Sequence, residues 1–252
     1  MDKIQPFIVL SHQRSGTTFL CNYLLAKHPE IFSFDELYNQ LNHKPTKLAL
    51  KKHALKSLYH LKYKLIGKLL STEKRFELYQ LDYLKTIQSK YEKKIIGFKL
   101  FNKQLPSSIE KKFLLEEQNK IILLRRRNIV QSAVSIYLLK FKNLKNDKSK
   151  VKLEPYIIDI DWCEYWIVTN RFYLYQCKKM LIENEKEFIE VEYESINDLN
   201  RVNEIYNYLG AKLLNELPTG MKKIDSVSKY ANILNLEEFQ KRLCNETNGY
   251  LF

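Results

Sequence analysis

Phe7-Ile8-Val9-Leu10-Ser11-His12-Gln13-Arg14-Ser15-Gly16-Thr17-Thr18-Phe19 decides how this chain folds. Four consecutive apolar residues, Phe7–Leu10, suit a strand buried on both faces, because a half-exposed strand would alternate. Ser11–Thr18 is polar and contains Gly16, so it reads as a loop. From Phe19 to Lys27 the positions Leu20, Tyr23 and Leu24 fall at helical spacing. Strand, loop and helix in this order open an α/β domain, and they also make an anion site. The first turn of a helix leaves N–H groups unpaired and carries a partial positive charge. Gly16 lets the backbone approach the anion, Thr17 and Thr18 add hydroxyl donors, and Arg14 adds a permanent cation.

Working outward, Ile95–Phe101 and Lys120–Leu124 are further apolar runs that predict strands, and Glu187–Val191 predicts a fourth. A helix from Ile129 to about Lys142 follows the third strand after an Arg-rich turn. Asp161–Glu183 predicts a long aromatic helix with Trp162, Tyr165, Trp166, Phe172 and Tyr173 near i, i+3, i+4 spacing. Leu199–Leu209 predicts another, ending at Gly210. Apolar runs alternating with helices argue for a central parallel sheet flanked by helices. Between the first two strands lies an insertion, most of it residues 42–94. No Asp or Glu occurs from Leu37 through Thr72, whereas Lys44–Lys68 holds eight lysines above leucines at helical spacing (Leu48, Leu55, Leu58, Leu61, Leu65, Leu69). This predicts a basic amphipathic helical segment.

The net charge of +13 in 252 residues predicts attraction to polyanions: nucleotides, acidic glycans or an anionic membrane surface. With 45% hydrophobic residues and only 6 Gly and 6 Pro, the chain is expected to be one globular α/β domain over residues 1–252. Cys21, Cys163, Cys177 and Cys244 are widely spaced and form no C-x-x-C pair, so buried thiols in a reducing compartment are expected. The N-terminus has no signal-peptide pattern and no apolar run reaches membrane-spanning length, so a cytoplasmic location is expected.

The loop departs twice from the nucleotide-binding pattern G-x-x-x-x-G-K-[ST]: Ser11 stands at the first glycine and Thr17 at the lysine. A strand-to-helix loop reading R-S-G-T-T resembles instead the 5′-phosphosulfate loop of sulfotransferases that use 3′-phosphoadenosine 5′-phosphosulfate (PAPS). Arg127-Asn128-Ile129-Val130-Gln131-Ser132-Ala133-Val134-Ser135 resembles that family's 3′-phosphate motif. Its Arg in the turn after a strand and its Ser two turns into the next helix can reach one anion. Three shorter stretches agree in order with the bacterial and carbohydrate members: Phe34-Asp35-Glu36-Leu37-Tyr38-Asn39 with G-E-[LI]-F-N, Ile96–Phe101 followed by Gln104-Leu105 with I-G-F-K-L-M…Q-L, and Val191–Ile196 with V-R-Y-E-D-L.

That resemblance implies a P-loop-like fold and sulfuryl transfer from PAPS to a hydroxyl, leaving 3′-phosphoadenosine 5′-phosphate (PAP), with no metal expected. Arg14, Ser15, Gly16, Thr17 and Thr18 would hold the phosphosulfate, Arg127 and Ser135 the 3′-phosphate, and Tyr193 would line the adenine pocket. Arg14 would also neutralise charge on the leaving phosphate, and Lys99 would support the sulfuryl oxygens. Glu36 would be the general base, with Asp35 beside it as competitor; His12 lies in the loop without the partner a general base needs. The implied acceptor is a carbohydrate or lipid-linked glycan, with the basic insertion at the acceptor or at an anionic membrane surface. Two other classes fit parts of the sequence. A nucleotide kinase or NTPase would need the loop lysine and a strand ending in Asp, and Leu123-Leu124-Arg125 ends in Arg instead. A nonenzymatic polyanion-binding module would explain the charge but shows no binding motif, and nucleic acid is not expected as a partner.

Overall fold

The structure, a computed structural model, describes residues 4–36, 85, 88–89, 92–141, 154–218 and 232–243, with 34 and 35 through their backbone alone. The basic segment 44–68 and Cys244 lie outside these residues. Five strands form one sheet: β1 (Gln5–Ser11), β2 (Ile31–Glu36), β3 (Ile95–Phe101), β4 (Lys120–Arg125) and β5 (Phe188–Glu192). Their order is β2-β3-β1-β4-β5 and every pairing is parallel. Five helices are described along their length: α1 (Ser107–Leu115), α2 (Ile129–Phe141), α3 (Ile160–Glu183), α4 (Leu199–Leu209) and α5 (Leu236–Leu243). The segment after the Ser11–Thr18 loop is a π-helical stretch, Phe19–Leu24, closing in a 3-10 turn, Leu25–Lys27. This is the P-loop-like architecture: a parallel sheet flanked by helices.

Both faces of the sheet are covered, which is why β1 and β3 are apolar almost without interruption. Ile8 and Leu10 face one layer with Phe98, Leu100, Ile109 and Phe113 of α1, and Leu181 of α3. Phe7 and Val9 face the other, with Leu20, Leu24, Ile122 and the buried stripe Val202, Ile205, Tyr206 and Leu209 of α4. Gly97 makes room for the second layer: a Cβ there would lie 2.3 Å from the Phe7 ring. A third cluster joins α2, the N-terminal half of α3 and α5 through Val134, Ile167 and Phe239. Local chemistry fixes the helix ends. Asp159 caps α3 by accepting from the Trp162 N–H at 2.9 Å, and Gly210 ends α4 in the left-handed conformation at φ 79.

Several elements differ from the sequence expectation: β4 runs one residue further, to Arg125, and the helices Ser107–Leu115 and Leu236–Leu243 were not expected. Helix α3 begins at Ile160 because Asp159, not a later residue, takes the cap; β5 runs one residue later than expected. The stretch after the first helix is strand β2, the sheet edge beside β3. Ile31-Phe32-Ser33-Phe34-Asp35-Glu36 is short and half polar, so only pairing with β3 reveals it.

The sheet order sets the site. From β1 the chain goes first to β2 and β3 on one side and later to β4 and β5 on the other. A crevice therefore opens beyond the C-terminal ends of β1 and β4, where an open α/β sheet binds ligands. The Ser11–Thr18 loop leaves β1 there, and Arg125, Arg126 and Arg127 leave β4 there.

Candidate active site

Ser11 is the last residue of β1, and its hydroxyl lies 2.6 Å from the Leu124 carbonyl and 2.6 Å from the Ser15 hydroxyl. A hydroxyl has one proton and the carbonyl can only accept, so Ser11 donates to Leu124 and accepts from Ser15. The residue that departs from the glycine of nucleotide loops thus ties the loop to the end of β4. His12 is fully buried with Nδ1 2.9 Å from the Gln13 carbonyl, so Nδ1 carries the hydrogen. Burial, with the nearby Arg126 charge adding to it, lowers its pKa to about 4 and keeps the ring neutral. Its ring meets Trp166 edge-on at 5.6 Å.

Arg14 sits at φ 65, a left-handed conformation that a residue with a Cβ adopts only under constraint. The constraint comes from the other side of the crevice. Its carbonyl accepts from Arg126 Nη1 at 3.1 Å and from the Ser132 hydroxyl at 3.0 Å, while its Nε donates to the Ser135 hydroxyl at 2.8 Å. Burial, and then the Arg126 charge, lowers the Arg14 pKa from its ordinary value. Gly16 has φ 97, and a Cβ on it would lie 2.0 Å from the Tyr193 ring. Tyr193 therefore lies directly on the loop, edge-on to Phe19 at 6.1 Å and under the Arg126 guanidinium at 4.9 Å.

Arg126 is the residue that the sequence reading passed over. Besides Arg14 and Tyr193 it binds Gln131 Oε1, and its buried Nε has no hydrogen-bond partner among the described residues. The period-two alternation of a strand end carries the signal that could have found it. Arg125 and Arg127 go to one side, where both meet Glu192; Arg126 goes to the other, into the crevice. Arg127 is exposed, with Nη2 2.7 Å and Nε 3.0 Å from Glu192 Oε2, and its backbone N–H donates to Glu194. These bonds hold the Glu192 carboxyl below the usual carboxylate range. The structure thus brings Ser135 to Arg14, and sets the Arg127 guanidinium on Glu192.

Glu36 and Lys99 come from adjacent strands. The β2–β3 register runs Phe34 to Phe98 and then Glu36 to Lys99, skipping Asp35. This bulge decides which carboxylate shares a sheet face with Lys99, because paired residues on parallel strands point to the same side. Glu36 Oε2 accepts from Gln104 Nε2 at 3.0 Å, and Gln104 is in turn fixed by the Phe101 N–H at 3.0 Å. Lys99 is buried rather than solvated, and its Nζ donates to Thr18 Oγ1 at 3.2 Å. Ser15 and Thr17 are buried in the loop, while Thr18 is exposed. Two left-handed residues in the loop, two neighbouring guanidiniums, a buried lysine and a glycine whose added Cβ would meet the Tyr193 ring suit a large anion, with a carboxylate at its edge.

No curated protein matches the chain. Among solved structures it is similar to the sulfotransferase domain of the Synechococcus PCC 7002 olefin synthase, at 16% identity and TM-score 0.49 over 94% of this chain and 84% of that one. It is similar to a sulfotransferase domain from the curacin biosynthetic pathway, at 15% identity and TM-score 0.49 over 96% and 90%. A third is a sulfotransferase from Alicyclobacillus acidocaldarius, at 12% identity and TM-score 0.43 over 99% and 96%. The profile of the sulfotransferase family matches residues 6–215, from the second residue of β1 to beyond α4. That span takes in the loop, the β4–α2 turn and the β2–β3 pair, and the chain belongs to the sulfotransferase family.

Proposed function

We propose that the chain transfers a sulfuryl group from PAPS to a hydroxyl of a carbohydrate or lipid-linked glycan. The observation that carries this reading is the 2.8 Å bond from Arg14 Nε to the Ser135 hydroxyl, which joins the loop after β1 to the helix after β4. It draws two anion-binding elements to one point, as a donor with phosphates at both its 5′ and 3′ positions requires. In this reading the phosphosulfate lies against Ser15, Gly16, Thr17 and Thr18, with Tyr193 beside the adenine. Arg14 neutralises charge on the oxygen that leaves with the 5′-phosphate, Lys99 supports the sulfuryl oxygens, and the acceptor oxygen attacks sulfur in line. Glu36, held by Gln104, takes the acceptor's proton. Arg127 exchanges Glu192 for the 3′-phosphate alongside Ser135; an exposed ion pair contributes little, so the exchange costs little. The side chains already present supply the charge that the transfer needs, so no metal is assigned.

Titration with PAP, AMP and ATP tests the donor. PAP is expected to bind far more tightly than either, and Arg127→Ala to erase the preference over AMP. Equal binding of PAP and AMP by the wild type, or an unchanged preference in Arg127→Ala, defeats the 3′-phosphate assignment. ATP binding as tight as PAP would point to a kinase instead. Incubation with radiolabelled PAPS and a panel of glycans, glycolipids, alcohols and phenols then identifies the acceptor.

A further inference from the structure

Helix α3 turns a line of large apolar side chains to solvent. Its buried side carries Cys163, Ile167, Cys177 and Leu181. The opposite line runs Tyr165, Val168, Phe172, Tyr175, Lys179 and Ile182, and its five apolar members are 66, 48, 61, 60 and 58% exposed. The outward line of a surface helix is normally polar; here Lys179 alone interrupts it. We propose that this line is the interface between two copies of the chain, packed as an antiparallel helix pair about a two-fold axis.

Spacing selects a helix as the occupant. The line advances by 3, 4, 3, 4 and 3 residues from Tyr165 to Ile182, the repeat of a coiled-coil seam, sustained over about 26 Å of helix. Area makes a second copy sufficient. With aromatic side chains contributing up to roughly 150–250 Å² each, the line exposes roughly 600 Å² per protomer. Doubling that in a symmetric pair clears the ~1,000 Å² that a specific interface needs. An exposed apolar patch of this size is already at the upper end for a monomer. Lys179 selects the direction. A parallel pair would set the two Lys179 ammonium groups side by side in one layer. The antiparallel pair sets Lys179 against the partner's Val168, Phe172 against the partner's Tyr175, and Tyr165 against the partner's Ile182. Every layer then mates an apolar side chain with one it can pack on, and no like charges meet.

Sedimentation equilibrium of the full chain from about 1 to 200 μM tests this. A dimer is expected, and Phe172→Glu or Tyr175→Glu should weaken it by at least about 30-fold, as loss of a central contact does. Lys179→Leu should tighten it, while Leu213→Glu, an exposed leucine away from the line, should leave it unchanged. Circular dichroism and PAP affinity equal to wild type show that the variants remain folded. A wild type that stays monomeric throughout, or a dimer that both glutamate variants leave intact, overturns the proposal. So does a monomer that floats with phosphatidylcholine vesicles through Phe172, because the occupant is then lipid.

Discussion

Glu36 and Asp35 are adjacent carboxylates, and the register shift between Phe34 and Glu36 pairs Glu36 with Lys99. Were the β2–β3 register continuous past Phe34, Asp35 would face Lys99; the bulge gives that place to Glu36 and leaves Gln104 to hold it. Glu36→Gln is therefore expected to lower turnover by roughly 10²–10⁴-fold with PAP affinity nearly unchanged. Asp35→Asn should be much milder. Initial rates paired with PAP titrations check both, and normal turnover in Glu36→Gln would move the base elsewhere. Residues whose type is itself informative stand out at this scale, Arg14 and Gly16 among them; the Arg127–Ser135 spacing does so too, although in the structure Ser135 meets Arg14 and the Arg127 guanidinium meets Glu192. Arg126 does not stand out, because three consecutive arginines look alike until strand alternation and neighbours distinguish them.

The loop between β1 and the π-helical segment is held from outside itself, and two predictions belong to it. Gly16→Ala demands both a Cβ where the Tyr193 ring lies and a left-handed backbone that costs about 1–3 kcal/mol for other residues. PAP affinity should fall by at least about tenfold, measured by calorimetry; unchanged affinity would mean the ring and the loop separate freely. The second concerns His12. Folded, its pKa is held at about 4; unfolded, it returns to about 6.5, the ordinary value. Between those values the unfolded chain binds a proton that the folded chain refuses, so stability falls as pH drops from 6.5 towards 4. At pH 5 this amounts to about 2 kcal/mol. His12→Asn keeps a side-chain N–H near the Gln13 carbonyl without that proton uptake. Its urea-unfolding free energy should consequently lose about 2 kcal/mol less than wild type between pH 7 and pH 5; equal losses would remove His12 from the acid limb. Among the elements, β1, β3, β4 and the C-terminal end of α4 at Gly210 announced themselves by apolar runs or caps. Strand β2 is an edge strand with polar residues, and it exists through its pairing with β3.

Across the whole molecule the charge of +13 should make binding of an anionic donor, and of any anionic acceptor, salt-dependent. The acid-free stretch 37–72 carries a large share of that charge, and we assign it to the acceptor rather than the donor. Replacing Lys51, Lys52 and Lys56 with Gln is expected to raise the acceptor KM and flatten its salt dependence while PAP affinity holds. Acceptor kinetics that match wild type across a salt series would return these lysines to a role in solubility. The parallel sheet was legible, since apolar runs separated by helices leave few other arrangements. Its order β2-β3-β1-β4-β5 was not, because the apolar runs of β1, β3 and β4 could each accept several neighbours.

The sequence by itself determined the family, the strand–loop–helix unit and the residue types able to grip an anion, because these depend on spacing within short segments. Only the tertiary structure decided which of those residues meet. Arg14 reaches Ser135, 121 residues away, and Lys99 reaches Thr18 across 81, contacts that no local pattern encodes. The strained φ of Arg14, the burial of Lys99 and the pairing of Glu36 with Lys99 all follow from strand register and from packing across the crevice. Those are properties of the assembled sheet, set by which faces had to be buried together.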